Sequence, residues 1–456
     1  MADELPSSVA ADIAAEAPLH GETLAARSLR QAIDVRPEEV AALGWSWLYI
    51  FALLSSYYIM RPIRDQMGIA GGVNNLQWLF TGTLAGMLLL NLPYAWLVRT
   101  LPRIRFISIT YRFFAANILV FALALHLATG AQAVWLGRLF FIWTSVYNLF
   151  VVSVFWAMIV DVFNSEQGKR LFGFIAAGAT IGAIFGSGVT ASLAEHVAPT
   201  YLLLGAAVLL EVAVLGVRHL SRISDALRAD PRTRTAGDRP VGGGVLAGIT
   251  HAFGSRYLVN VSVFMLLFSI TSTLLYFQQA SIVNASFHTR GAQTEFFATI
   301  DLAVNVLTLG VQLFLTGRIV RWLGVGITLA LLPGVSVIGF GALAMLPTLS
   351  AVVPFQVLRR AGNFAVARPT REVLFTVVPR EDRYKAKNFI DTVIYRTGDQ
   401  VGAWSYALLT ALGWGMTRTA VMAVPLSAIW LLVGLWLGHR QEVLAASEAE
   451  PEARTR

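Results

Sequence analysis

Apolar runs near the ~20 residues needed to cross ~30 Å of hydrocarbon recur along this chain. They fall at 43–60, 76–98, 106–126, 132–160, 172–194 and 200–217, then at 257–283, 295–317, 323–346, 351–378, 388–412 and 417–438. Short turns join them, with one exception. The stretch 218–256 is long and polar, holds Pro231, Pro240 and the run Gly242-Gly243-Gly244, and reads as a linker. The pattern predicts an all-α membrane protein of twelve transmembrane helices in two six-helix halves, 43–217 and 257–439. An N-terminal arm, 1–42, is Ala-rich and has no apolar core of the kind a signal peptide carries. The tail, 440–456, is small, polar and charged, and is expected to be disordered.

Loop charge orients these spans. Arg99, Arg103 and Arg105 follow the second span, Lys169 and Arg170 the fourth, Arg318 and Arg321 the eighth, and Arg380, Arg383, Lys385 and Lys387 the tenth. The linker adds Arg218, Arg222, Arg228, Arg232, Arg234 and Arg239 on the same side. The other side offers little beyond Arg138, Arg290 and Arg418. Both ends and the linker are therefore expected in the cytoplasm, with the chain multi-pass in a cell inner membrane.

Against this apolar background, charge inside the spans is conspicuous. Arg359, Arg360, Arg368, Arg371, Glu372, Asp391, Arg396 and Asp399 lie in the tenth and eleventh spans. Each charge at mid-bilayer costs roughly 2.5–3.5 kcal/mol, so four arginines facing lipid would cost about 10 kcal/mol. They are tolerable only beside a partner charge, a watery cavity or an anion. Five arginines against three acids leave a surplus of two positive charges that pairing alone does not silence. Arginine forks suit phosphate or carboxylate. Arg360, Asn363, Arg368 and Arg371 share an arc of about 140° at ~100° per residue, with Pro369 disturbing the helix between the last two.

Three further patterns bear on a pathway. The first span ends Tyr58-Ile59-Met60-Arg61-Pro62-Ile63-Arg64-Asp65, where Arg61 is spaced to meet Asp65. Those arginines either snorkel to headgroups or face the pathway. In the eighth span Asp301, Asn305, Thr308 and Gln312 step by four, three and four, a polar stripe that serves interhelical hydrogen bonding or substrate lining. Ser272, Thr273, Tyr276, Gln278 and Gln279 of the seventh span offer matching groups. In the fifth span Gly178, Gly182 and Gly186 make a smooth face for close helix packing.

Composition agrees. Of 456 residues 56% are hydrophobic and 14% charged, and the mean hydropathy is +0.63. There is no cysteine, which excludes disulfides and thiolate sites. No Walker loop, H-E-x-x-H, G-x-S-x-G or dinucleotide fingerprint appears, so no enzyme, cofactor or metal site is expected. The net charge of +8 follows from cytoplasmic loops and does not call for nucleic acid. A monomer in the bilayer is expected, with a small anion as its partner.

The halves also echo each other. Glu166 to Phe172 closes the fourth span and Glu381 to Phe389 the tenth, each with an acid, then basic residues, then an aromatic. This plan resembles the major facilitator superfamily. More narrowly, Tyr58 to Asp65, Phe155-Trp156 through Gly173, Arg371-Glu372-Val373-Leu374-Phe375, Lys385-Ala386-Lys387 and Asp391 resemble the bacterial and plastid ATP/ADP translocases. That resemblance implies a nucleotide exchanger in which Arg61, Arg64, Arg371, Lys385 and Lys387 match the cavity cations that hold phosphates. Asp301, Asn305, Arg360, Asn363, Arg368 and Arg396 join them as substrate-binding candidates on the residue patterns above. Exchange needs no titrating group, whereas proton coupling would use Asp301, Glu372, Asp391 or Asp399. ATP/ADP and another organic anion both stay open, as does export of an amphipathic drug or lipid.

Overall fold

In the computed structural model, residues 35–101, 103–228, 254–378 and 386–454 are described. Lys385, most of the central linker and most of the N-terminal arm lie outside them. The described residues form helices α1 (Val40–Ala70), α2 (Leu76–Thr100), α3 (Arg103–Leu127), α4 (Gly130–Val162), α5 (Ser165–Leu193) and α6 (Pro199–Arg228). Beyond the linker come α7 (Arg256–Ser286), α8 (Arg290–Phe314) and α9 (Thr316–Met345). The tenth helical run, α10, is Leu349–Gly362, a π-helical turn at Asn363–Ala367, then Arg368–Val373. The eleventh, α11, has a π-helical turn at Ile390–Ile394 followed by Tyr395–Ala411. Last is α12 (Met416–Arg454).

Nine of these helices are long and apolar enough to cross a membrane; α2, α10 and α11 are not among the nine. In α10 and α11 the π turns and the charges interrupt what would otherwise be apolar spans. Large apolar side chains remain exposed on the outside of the bundle, among them Ile338 at 75% and Trp322 at 72%. Such a surface suits hydrocarbon, where each helix satisfies its own backbone. The chain is a multi-pass membrane protein.

The helices overrun the expected spans. α1 continues to Ala70, so Arg61, Pro62, Arg64 and Asp65 lie within the helix and not at its end. Pro62 is buried and the helix carries on through it. α12 likewise runs to Arg454, so the expected disordered tail is corrected over 440–454. Its Ala, Glu and Leu residues are strong helix formers, and Leu444 and Ala445 pack against the second-half core.

Apolar packing falls into three cores. One joins α1, α3, α4, α5 and α6 around Tyr49, Tyr111, Tyr147 and Phe155. Another lies within the second half of the chain, around Phe264, Phe268 and Trp430. The third mixes Leu76, Leu79 and Phe141 with Phe277, Phe340 and Tyr406. Glycines set the closest approaches. A Cβ at Gly182 would fall 2.4 Å from the Phe51 carbonyl oxygen, and one at Gly186 2.4 Å from that of Ser55, so α5 presses its glycine stripe on α1. The second half repeats the device: a Cβ at Gly398 would meet Ser269 Cβ at 2.5 Å, and one at Gly402 would meet Thr273 Cβ at 2.9 Å, where α11 rests on α7.

Candidate functional site

The first and second halves of the chain meet tightly on the face opposite the linker. Gln66 of α1 donates to Gln293 of α8 at 3.5 Å. Thr81 of α2 donates to Gln400 of α11 at 2.9 Å, and Trp404 donates back to Thr81 at 3.1 Å. Trp78 and Trp404 pack edge to face 4.8 Å apart. Toward the linker face the same helices line cavities.

A large cavity holds about 1200 Å³. Its charged wall comes from α10, α11 and the residues leading into α11: Arg368, Arg371, Glu372, Lys387, Asp391 and Arg396. Opposite stand Leu84, Met87 and Leu88 of α2 and Leu149, Phe150 and Ser153 of α4. A second cavity, about 420 Å³, shares Phe364, Arg368 and Glu372 with it and adds Tyr58, Asn305, Thr308 and Gln312. A third, about 230 Å³, shares Tyr395, Arg396 and Gln400 and adds Arg64 and Asp399. The shared residues make these one irregular central space between the halves.

Backbone irregularity aims the cations. Pro369 has no N–H to give the Ala365 carbonyl four residues earlier, and Thr316 supplies that donor at 2.8 Å. Gln312 donates to the Phe364 carbonyl at 3.3 Å. The π turn and the proline thus sit in a braced stretch, and beyond it Arg368 and Arg371 point into the cavity.

Among the described residues, two of the cavity cations make no ion pair. Arg371 makes one hydrogen bond, from Nη1 to the weakly accepting thioether of Met265 at 3.0 Å. Arg368 makes neither a hydrogen bond nor an ion pair among the described residues. Lys387 pairs with Glu372, and Arg396 with Asp399 at 3.1 Å. Asp391, on the same wall, makes no ion pair among the described residues. Four cations face two acids on the wall of the large cavity, and Asp399 behind it reduces the surplus to one. Buried polar atoms nearby also lack partners, including Asn363 Oδ1 and Thr308 Oγ1.

Other candidates are placed differently. Arg61 does not meet Asp65: its Nη1 lies 3.3 Å from Oδ1 of Asp301 on α8, and Arg360 Nη1 reaches the same oxygen at 2.7 Å. Asp65 instead pairs with its neighbour Arg64 at 3.5 Å and accepts from Tyr276 at 3.0 Å. These groups do not line the large cavity, although Arg64 lines the third. Asn305 donates to the Asp301 carbonyl at 2.7 Å while also lining the second cavity. Arg359 is turned away, 3% exposed, with donors on Ser336, Ser272, Thr271 and the Phe268 carbonyl. Ser272 and Thr273 are thereby committed to Arg359 and Asp399, not to the α8 stripe. Gln279 is likewise committed, bonding Gln356.

Several site residues escaped sequence reasoning. Gly398 and Gly402 repeat the four-residue spacing of Gly178 and Gly182, so that signal was present. Gln400, Asn91 and Tyr395 carry no spacing that distinguishes them from other polar or aromatic residues.

In fold, this helical bundle is similar to solved membrane transporters. The chain superposes on a bacterial homologue of the iron transporter ferroportin in its inward-facing state with a TM-score of 0.61, at 9% identity, covering 88% of this chain and 98% of that one. It superposes on the inward-open xylose transporter XylE from E. coli with a TM-score of 0.57, at 12% identity, covering 85% and 94%. In sequence the chain is similar to ADP,ATP carrier protein 1 of Chlamydia muridarum, at 23% identity over 359 residues, 70% of this chain and 67% of the carrier. No family model matches the chain.

Proposed function

We propose that the chain is a secondary transporter of an organic anion, a nucleotide or another phosphorylated or carboxylated solute. It works by alternating access between two six-helix halves, 43–217 and 257–439, that cross the inner membrane twelve times with both ends in the cytoplasm. The observation that carries this reading is the pair Arg368 and Arg371, set on a cavity wall with no acid within ion-pair distance among the described residues. A buried guanidinium without a counter-charge is costly, and a bound anion removes that cost. The similarity to an ADP,ATP carrier makes nucleotides the first solutes to test.

Exchange follows from the same charge balance. An empty cavity keeps its positive surplus, which resists reorientation through hydrocarbon, whereas a filled one is neutralised. Purified protein in liposomes loaded with unlabelled nucleotide should then take up labelled nucleotide only when internal solute is present. Arg371→Gln should abolish that uptake while the protein still melts cooperatively. Equal uptake by the variant would refute the assignment.

Asp391 supports a second reading. It faces the cavity and makes no ion pair among the described residues, the position of a proton carrier. Uptake driven by an imposed pH gradient without internal solute, and lost in Asp391→Asn, would replace exchange with proton coupling.

A further inference from the structure

We infer that the substrate of this cavity is an amphipathic anion, with a charged head on the second half of the chain and an apolar body on the first. This rests on the reading that the cavity takes an anion, and it adds what the remainder of that anion must be. The observation is the division of the wall. Among the described residues, every charged side chain lining the cavity of about 1200 Å³ comes from α10, α11 or Lys387 just before α11. The α2 and α4 side presents Leu84, Met87, Leu88, Leu149 and Phe150, relieved only by Asn91 and Ser153. Of the cations the first half might have offered, Arg61 is held by Asp301, and Arg64, held by Asp65, reaches only the adjoining cavity of about 230 Å³.

Geometry extends the apolar side. Leu88 is 64% exposed and Leu149 is 41% exposed although both line the cavity. Phe268, from the second half, closes the same space and packs against Tyr395 with ring centroids 6.1 Å apart. A solute that is polar throughout would satisfy Arg368 and Arg371 but leave this face against water. An apolar body gains by covering it. The chemistry required is one phosphate or carboxylate at one end and a hydrocarbon or flat aromatic group at the other.

Inhibition of anion uptake by a homologous series tests the division. The probes are inorganic phosphate and the n-butyl, n-octyl and n-dodecyl phosphates, assayed below their micelle-forming concentrations. Each added methylene should tighten inhibition by about four-fold until the wall is covered, then level off. Leu88→Asn with Leu149→Asn, both at exposed positions, should flatten that rise, reducing the octyl-to-inorganic ratio at least ten-fold. A flat series in the unaltered protein overturns the inference while leaving the anion reading intact. Inhibition by none of the phosphates, with uptake insensitive to Arg371→Gln, overturns the anion reading itself. A further arm separates two sources of such a molecule. Lysophosphatidic acid inhibiting more strongly than dodecyl phosphate points to a membrane lipid, and the reverse points to a soluble amphiphile.

Discussion

Arg61 of α1 and Asp301 of α8, 240 residues apart in sequence, lie 3.3 Å from one another at the junction of the two halves. Arg360 of α10 shares the same carboxylate oxygen at 2.7 Å, so one acid holds two guanidiniums. Asp301 is 2% exposed and its second oxygen has no partner. Removing the acid leaves two buried cations facing each other. Breaking one partner of a buried pair typically costs about 3–5 kcal/mol. Asp301→Asn is expected to lower the melting temperature of purified protein sharply. Arg61→Gln, which leaves Arg360 in place on Asp301, should lower it less. Equal losses in the two variants would show that Asp301 acts through Arg61 alone.

The same junction can be tested by cross-linking, because the chain has no cysteine of its own. Gln66 and Gln293 touch across the halves at 3.5 Å. Gln66→Cys with Gln293→Cys, joined by a short cleavable cross-linker, should arrest exchange, and cleaving the linker should restore it. Adding Asp301→Asn should reduce the cross-linked fraction, since the two contacts hold the same interface closed. Full exchange by fully cross-linked protein would mean that this face does not open during transport.

How much of this was legible in the sequence depends on the kind of interaction. Apolar runs of membrane length located most helices, because bilayer thickness fixes that length whatever the partner helices are. The α5 glycine stripe was readable from spacing alone, since close approach needs small residues a turn apart. Partners were not readable. Arg61 and Asp65 have ideal helical spacing, yet the chain gives Arg61 to Asp301 and leaves Asp65 to Arg64 and Tyr276. Arg359 and Arg360 are neighbours on paper; one is locked into the interior and the other reaches the junction, because successive residues on a helix point about 100° apart. The π turn at Asn363–Ala367 has no period to betray it, and it shifts every later residue of α10 around the helix.

Arg359 makes a prediction about arginine as such. Its guanidinium spans Ser336 on α9 and Ser272, Thr271 and the Phe268 carbonyl on α7, and it lies over the Phe268 and Trp430 rings at 5.4 and 5.7 Å. A lysine brings one point charge and cannot reach both helices at once. Arg359→Lys is therefore expected to cost about 2–3 kcal/mol, the worth of one or two charge-assisted hydrogen bonds left unmade. Arg359→Met, which removes the buried charge and keeps most of the volume, should cost less than lysine, because Ser336, Ser272 and Thr271 already donate to carbonyls of their own helices. Thermal melting of the two variants side by side gives the order, and a more stable lysine variant would contradict it.

Glycine substitutions separate packing from propensity. Gly182→Ala places a methyl 2.4 Å from the Phe51 carbonyl oxygen, backbone that cannot step aside without moving α1. An overpacking loss of about 1–3 kcal/mol is expected, and Gly402→Ala, against α7, should behave alike. Gly205 has nothing within 4 Å of its would-be Cβ. Gly205→Ala should be neutral or stabilising by up to about 1 kcal/mol. Comparable losses at Gly182 and Gly205 would show that helix flexibility, and not contact, is what these positions supply.

Lys387 and Glu372 form an ion pair on the cavity wall, with side chains 34% and 50% exposed. At that exposure the pair contributes about 0–1 kcal/mol to stability, so Glu372→Gln should leave the melting temperature nearly unchanged. Its effect on an anion should be larger. Losing the acid frees Lys387 and raises the positive surplus by one charge, and at ~10 Å with an effective dielectric near 20 one charge is worth roughly 1–2 kcal/mol. The expected result is a KM for anionic solute several-fold lower in Glu372→Gln and several-fold higher in Lys387→Gln, both differences shrinking as salt is added. The opposite order would mean that Glu372 touches the solute directly, accepting from a hydroxyl or amine on it. In that case its loss would remove a contact, with no net gain from the freed lysine.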